Sequence, residues 1–247
     1  MTGQTQPKVP YDLVPQSRLQ RVTARRLRKA VPEKPQVTLH VMARMDALLA
    51  ERRNRKQEAG DAQSMTVTAV LAAVVAAALA RWGRLNGHIN GDEIRQFREV
   101  HLGVAVDTGQ GLVVPVVRDA HLKTLNEIAT EIDRLANKAR INALHPAELV
   151  DATFTVTNLG MHGVQFFTPL VNPPQLAILG VGATSPALAM VDGHVTERHQ
   201  IGLSLSFDHA AIDGAEAAAF LQRLVELIEN PADTLRSRTS IRSSLEP

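Results

Sequence analysis

The chain has 247 residues, 45% of them hydrophobic and 21% charged, with 27 basic against 25 acidic side chains and a formal net charge of +2. That balance is globular, and a chain of this length buries enough surface to fold without covalent staples. The absence of cysteine excludes a disulfide scaffold, thiol catalysis and cysteine-ligated zinc; aromatics at 3% and a near-neutral charge argue against a nucleic-acid partner.

Residues 1–16 carry Pro7, Pro10 and Pro15 without an apolar period and read as an extended arm with no secretory signal. Residues 17–30 place Leu19, Val22, Thr23, Leu27 and Ala30 on one helical face, and Pro32 and Pro35 end that helix. This stretch is also the most basic. Arg18, Arg21, Arg25, Arg26, Arg28, Lys29 and Lys34 meet only Glu33, which suits either a phosphate-rich ligand or a solvated face. Residues 37–45 alternate like a strand, and 46–59 form a charged helix. Residues 66–82 are rich in Ala and Val. They are too short to span a bilayer and predict a buried helix, so the expectation is a cytoplasmic protein with no membrane partner.

A strand-rich stretch follows, with an Asn90-Gly91 turn signal, an alternating strand over 100–107 and an apolar strand over 112–117 that Pro115 restricts to an edge or bulge. An amphipathic helix over 124–138 carries the stripe Leu125, Ile128, Ile132 and Leu135. Strands are predicted at 154–157 and 176–181, and one or two within 195–207. A last helix covers 214–228, and 232–247 is a polar tail. Helices and strands interleave without regular βαβ units, so the fold class is an α+β sandwich: a mixed sheet flanked by helices.

Two segments carry chemistry. In the first, an alternating strand ends at Phe207, His209 follows, and Asp213-Gly214 open a helix. A histidine at a strand terminus can act as an oriented general base near neutral pH. Asp213 also fits a capping box with Glu216, so its role is open between cap and site. In the second, Thr157 precedes the Gly-rich turn Asn158-Leu159-Gly160. A hydroxyl there can donate to a developing oxyanion, although an ordinary turn has the same pattern. Gly180-Val181-Gly182 lacks the third glycine of a dinucleotide loop, and no histidine pair has zinc-site spacing.

The stretch SFDHAAIDGAEAAAFLQRL resembles the signature of the catalytic domain of the dihydrolipoamide acyltransferases of 2-oxo acid dehydrogenase complexes, whose fold chloramphenicol acetyltransferase shares. TFTVTNLGMHGVQFFTPLVNPPQLAILGVG, GVAVDTGQGLVVPVVRDAHLKTLNEIA and RLQRVTARRLRKA with VTLHVMARMDAL resemble three further blocks in the family's order, over roughly residues 15–234. The resemblance implies acyl exchange between a dihydrolipoyl thioester and coenzyme A. His209 is then the base, Thr157 the oxyanion donor, and Asp213 an organiser paired with Arg25 or Arg26. It further implies coenzyme A contacts at Arg21, Asn158 and Gly160, no resident metal, and a homotrimer with active sites between subunits. The lipoyl group is expected in trans from a lipoyl-domain protein, alongside dehydrogenase components of a complex. Ala210 stands where the dehydrogenase-complex enzymes have Arg, and Gln20 where the family's first helix has Arg. The catalytic domain is expected over 17–234. The polar tail 235–247, with Leu235, Ile241 and Leu245 isolated in it, predicts a trimer rather than a cubic shell. The alternatives are an acyltransferase acting on a small hydroxyl or amine, and a non-catalytic trimeric assembly core.

Overall fold

The computed structural model describes residues 35–59 and 65–232 without interruption, together with individual positions between 12 and 28. Strand β1 (Gln36–Arg44) leads into helix α1 (Asp46–Ala59) and helix α2 (Val67–Leu79). A hairpin of β2 (Gly87–Asn90) and β3 (Glu93–Gln96) follows, then the short strands β4 (Leu102–Val104), β5 (Val106–Asp107), β6 (Leu112–Val113) and β7 (Val116–Val117). Helix α3 (Leu125–Arg140), strand β8 (Phe154–Asn158), strands β9 (Ala177–Val191) and β10 (His194–Asp208) and helix α4 (Gly214–Glu229) complete the chain. Six strands make one mixed sheet in the order β1-β10-β9-β8-β4-β7, parallel at β9–β8 and β8–β4 and antiparallel elsewhere.

The sheet has two unlike faces. Phe154, Val156, Leu179, Leu203, Leu205 and Phe207 join the helices in one core. Helix α2 runs through that core between α3 and α4, with ten of its thirteen residues buried. Its valines cost a few tenths of a kcal/mol each in helix propensity, whereas burying each one contributes about 1.5–3 kcal/mol, so burial decides the conformation. Thr66 caps α2 by accepting from Ala69 N at 3.1 Å. Thr124 and Glu127 form a reciprocal capping box on α3.

Apart from Ile178, the alternate positions on the same strands are small or polar. Ser206 bonds Thr38 at 2.7 Å, Ser204 bonds His40 at 2.9 Å, and Thr155 Oγ1 donates to Gln175 Oε1 at 2.7 Å. The segment 164–172 lies directly on this face. A β-carbon at Gly182 or Gly202 would fall 2.0 or 2.1 Å from the Gln165 carbonyl oxygen, and one at Gly180 would meet the Phe167 ring at 2.9 Å. Gln36 fastens the far end of the segment, donating to the Pro169 carbonyl at 3.1 Å and accepting from Val171 N at 2.9 Å.

Several expectations change. The strand over 100–107 breaks at Ala105 and that over 112–117 at Val114-Pro115, so β4 and β7 stay in the main sheet while β5 and β6 leave as a separate ribbon. Proline supplies no ladder donor, and β7 is indeed an edge. The strand predicted at 176–181 continues to Val191 and forms one long hairpin with β10, turning at Asp192-Gly193, both with positive φ. Gly180 and Gly182 therefore lie within a strand. The β2–β3 turn is Gly91-Asp92, one residue later than expected, because Asn90 pairs with Glu93 and Gly91 takes the positive φ. In the first helix, the described positions 20, 21, 24, 25 and 28 are helical, and Ser17 and Gln20 cap it reciprocally. The arm up to residue 11, most of the basic cluster, Arg26 and the tail from 233 lie outside the described residues.

Gly182→Ala should destabilise the fold by about 1–3 kcal/mol in denaturant titration, because its methyl group displaces backbone rather than a flexible side chain. A second expectation concerns Glu148, which accepts from His145 N at 2.8 Å, Arg134 at 2.7 Å and Lys138 at 3.1 Å. The backbone amide of His145, then Arg134, holds its carboxyl down from 4.5 to about 2. Its contribution to stability is complete above pH 4.5 and is lost as pH falls toward 2. Thermal melts of Glu148→Gln should lie below the parent at pH 7 and converge with it by that acid limit.

Candidate active site

His209 follows the last paired residue of β10. Its backbone N–H donates to the Pro35 carbonyl at 2.9 Å, which fixes the turn against the start of β1. The exposed imidazole lies 5.7 Å from the Phe207 ring, centroid to centroid, and its Nε2 would sit 3.8 Å from a β-carbon at Gly214. The ring thus lies over the first residue of α4. Asp213 is exposed at the N-cap position of α4, but its side chain makes no capping hydrogen bond. The expected capping box is absent because Glu216 turns to Arg84, at 3.6 Å. Nor does Asp213 pair with Arg25 among the described residues, and Arg26 lies outside them.

The carboxylate that shapes this turn is Asp208. It is 2% exposed; its Oδ1 accepts from Ala210 N at 3.1 Å, and its carbonyl accepts from Ala211 N and Ile212 N. Sequence reasoning passed over it in favour of Asp213. The signal was present: Asp208 falls on the polar face of an alternating strand, directly before the histidine, where an Asx turn is favoured.

Thr157 is the fourth residue of β8, half-buried, on the polar face of the sheet. Among the described residues its hydroxyl has no hydrogen-bond partner. Asn158 points the other way, into the helix layer. Its Nδ2 donates to Thr68 Oγ1 at 2.9 Å and its Oδ1 accepts from Gly160 N at 2.7 Å. Gly160 rests on Gly182, whose carbonyl oxygen would be 2.4 Å from a β-carbon there. Both ends of the Asn158 amide, and the close approach of Gly160 to Gly182, thus hold the turn. Arg21 donates to the Gln16 carbonyl at 2.7 Å, and nearby Ser17 reaches the Gln110 carbonyl in the β5–β6 turn. The structure does not bring Arg21 to either candidate group.

The sheet register separates Thr157 from His209. Thr157 pairs with Gly180, and Gly180 with Ser204. His209 lies five residues beyond Ser204 along β10, two strands away from β8. At about 3.4 Å per residue and about 4.8 Å per strand, the two groups of one chain are about 20 Å apart. At that separation the two side chains of one chain do not reach a common reacting carbonyl. A surface depression on α3, lined by Lys123, Asn126, Glu127, Thr130 and Glu131, involves none of these residues.

The model of the 2-oxoacid dehydrogenases acyltransferase family, catalytic domain, matches residues 9–236. The chain belongs to this family. It is 40% identical over 200 residues to the dihydrolipoyllysine-residue acetyltransferase component of the pyruvate dehydrogenase complex of Bacillus subtilis, covering 80% of this chain and 45% of that longer one. A crystal structure addressing the role of a serine, a histidine and an asparagine in the mechanism of Azotobacter vinelandii dihydrolipoamide acetyltransferase superposes with TM-score 0.87 at 34% identity, covering 94% of this chain and 99% of that one. The cubic core of a pyruvate dehydrogenase multienzyme complex gives TM-score 0.87 at 35% identity, with 94% and 99% covered. Chloramphenicol acetyltransferase, 14% identical with TM-score 0.50 over 79% of this chain and 89% of that one, shares the fold alone. The α+β sandwich expected from the sequence is the fold observed. No described helix of this acyltransferase-family chain is long and apolar enough to cross a membrane.

Because Asp208 satisfies a turn amide from a buried position, Asp208→Ala should cost about 1–3 kcal/mol of folding stability, measured by denaturant unfolding. Asp213→Ala, at an exposed site without a capping bond, should cost much less.

Proposed function

We propose that the protein transfers acyl groups between a dihydrolipoyl thioester and coenzyme A, with each active site formed between two chains of a trimer. The observation that carries this reading is the register. A base and an oxyanion donor of the right types lie about 20 Å apart in one chain, so a second copy must supply one of them. The spacing in the Azotobacter relative adds support. There the histidine follows the serine by 52 residues and the asparagine follows the histidine by four. His209 follows Thr157 by 52 and Asp213 follows His209 by four. Threonine keeps the hydroxyl. Asp213 puts a carboxylate where that relative has an amide, and serves as an organiser beside the histidine.

In the proposed reaction His209 takes the proton from the coenzyme A thiol. The thiolate sulfur attacks the carbonyl carbon of the acyl-dihydrolipoyl thioester. Thr157 of the neighbouring chain donates its hydroxyl hydrogen bond to the oxyanion, worth about 3 kcal/mol at the transition state. Collapse of the tetrahedral adduct breaks the bond to the dihydrolipoyl sulfur, which recovers the proton from His209. One thioester replaces another, so the exchange is nearly isoenergetic. Catalysis then rests on proton transfer, oxyanion donation and alignment of two long arms. The lipoyl arm comes from a lipoyl domain, and the dehydrogenase components are the natural suppliers of the acyl group.

The test is acyl transfer between acetyl-CoA and dihydrolipoamide. His209→Ala should lower kcat by about a thousandfold, and Thr157→Ala by about a hundredfold or more. Co-assembling the two inactive variants in equal amounts should restore about a quarter of the parental rate, because one pairing of neighbours in four carries both intact groups. No recovery in mixed trimers would overturn the shared site. No transfer by the folded parent would overturn the substrate assignment, and native mass distinguishes a trimer from a larger shell.

A further inference from the structure

We propose that Thr68, on helix α2, is a positioning residue for the oxyanion donor Thr157. The inference rests on the acyl-transfer reading and adds a contact from outside the recognised motifs. Successive residues of a strand point to opposite faces. At the end of β8 this sends Thr157 toward the polar face and Asn158 toward the helix layer. There Asn158 meets a partner beside the N-terminus of α2: its Nδ2 donates to Thr68 Oγ1 at 2.9 Å. The other end of the same amide accepts from Gly160 N at 2.7 Å. Leu159 N donates to the Val181 carbonyl at 3.0 Å, and Gly160 rests on the backbone of Gly182.

The turn after Thr157 is therefore tied on the sheet side through β9 and on the helix side through Thr68 alone among the described hydrogen bonds of Asn158. Helix α2 is a firm anchor. It is buried over most of its length and begins on its own threonine cap, Thr66. Thr157, by contrast, has no side-chain hydrogen bond of its own to fix its rotamer among the described residues. Its direction follows from the backbone of β8, and that backbone is set one residue later by the Asn158 amide. Without the Thr68 acceptor, Nδ2 of a half-buried amide loses its partner. Asn158 then turns to find another, and the strand end moves with it.

A displacement of this kind weakens donation to the oxyanion without touching the substrate arms. Thr68→Val, close in shape but lacking the acceptor, should lower kcat by about 10- to 100-fold. The KM values for acetyl-CoA and dihydrolipoamide should stay within about twofold. Thr68→Ser, which keeps the oxygen, should restore the parental kcat. In a Thr157→Ala background Thr68→Val should cost almost nothing further, because the donor it positions has gone. Thr68→Ala carries the same expectations if the valine variant folds poorly. Parental kcat in Thr68→Val, or a loss undiminished in the Thr157→Ala background, would overturn the positioning role while leaving the acyl-transfer reading intact. Failure of that reading is separately visible as an inactive parent or an unaffected Thr157→Ala.

Discussion

The two-residue repeat of the central strands is the constraint on which the rest of this structure depends. On β8, β9 and β10 one set of alternate core residues is apolar and packs against the helices; the other set, apart from Ile178, is polar or glycine, and its glycines face the 164–167 segment. A slip of one residue in any ladder would drive Ser204 and Ser206 into the helix core and expose Leu203 and Leu205. Burial of each leucine is worth about 1.5–3 kcal/mol, so the register is strongly determined. The positions of Thr157 and His209 follow from that register.

The polar face is closed by backbone rather than by side chains. Gly180, Gly182 and Gly202 leave no β-carbons beneath the segment 164–167, which approaches the sheet as closely as a carbonyl oxygen allows. The polar groups left underneath find each other: Ser204 with His40, Ser206 with Thr38, Thr155 with Gln175. Buried polar atoms are costly unless paired, and these pairs keep the covering segment compatible with a hydroxyl-rich strand face. The turn that carries Thr157 leaves this same layered region, and it inherits the rigidity of strand β9 and helix α2.

The proposed base and oxyanion donor stand at opposite ends of the central strands. Each group has well-ordered local support: Asp208 and the Pro35 carbonyl for the His209 turn, the Asn158 amide for the turn after Thr157. In the proposed reaction the distance within one chain is bridged by a neighbouring chain, which would make association part of the chemistry.

Much of the fold was legible in the residues. The stripe of α3, the Ala/Val-rich run of α2 and the alternation toward Phe207 were read from short-range pattern, which depends on local geometry. The long β9–β10 hairpin was not legible beyond Val181, because Pro186 interrupts residues 183–191 and they alternate between half-buried and exposed outside the core. The split of the 100–117 region required knowing which strand each half pairs with, and pairing is a property of distant chain. His209 and Thr157 stood out by type and neighbours. Asp208 did not, since its value comes from being buried beside a turn; Asp213, open between cap and site in the sequence, makes no capping bond, and Glu216 pairs with Arg84. By itself the sequence determined the element types, the core faces and the chemical groups, all set by short-range spacing. Only the tertiary structure decided the separation of the two groups, the Thr68–Asn158 contact and the closing of the polar face, since each joins residues far apart in the chain through packing that no local pattern encodes.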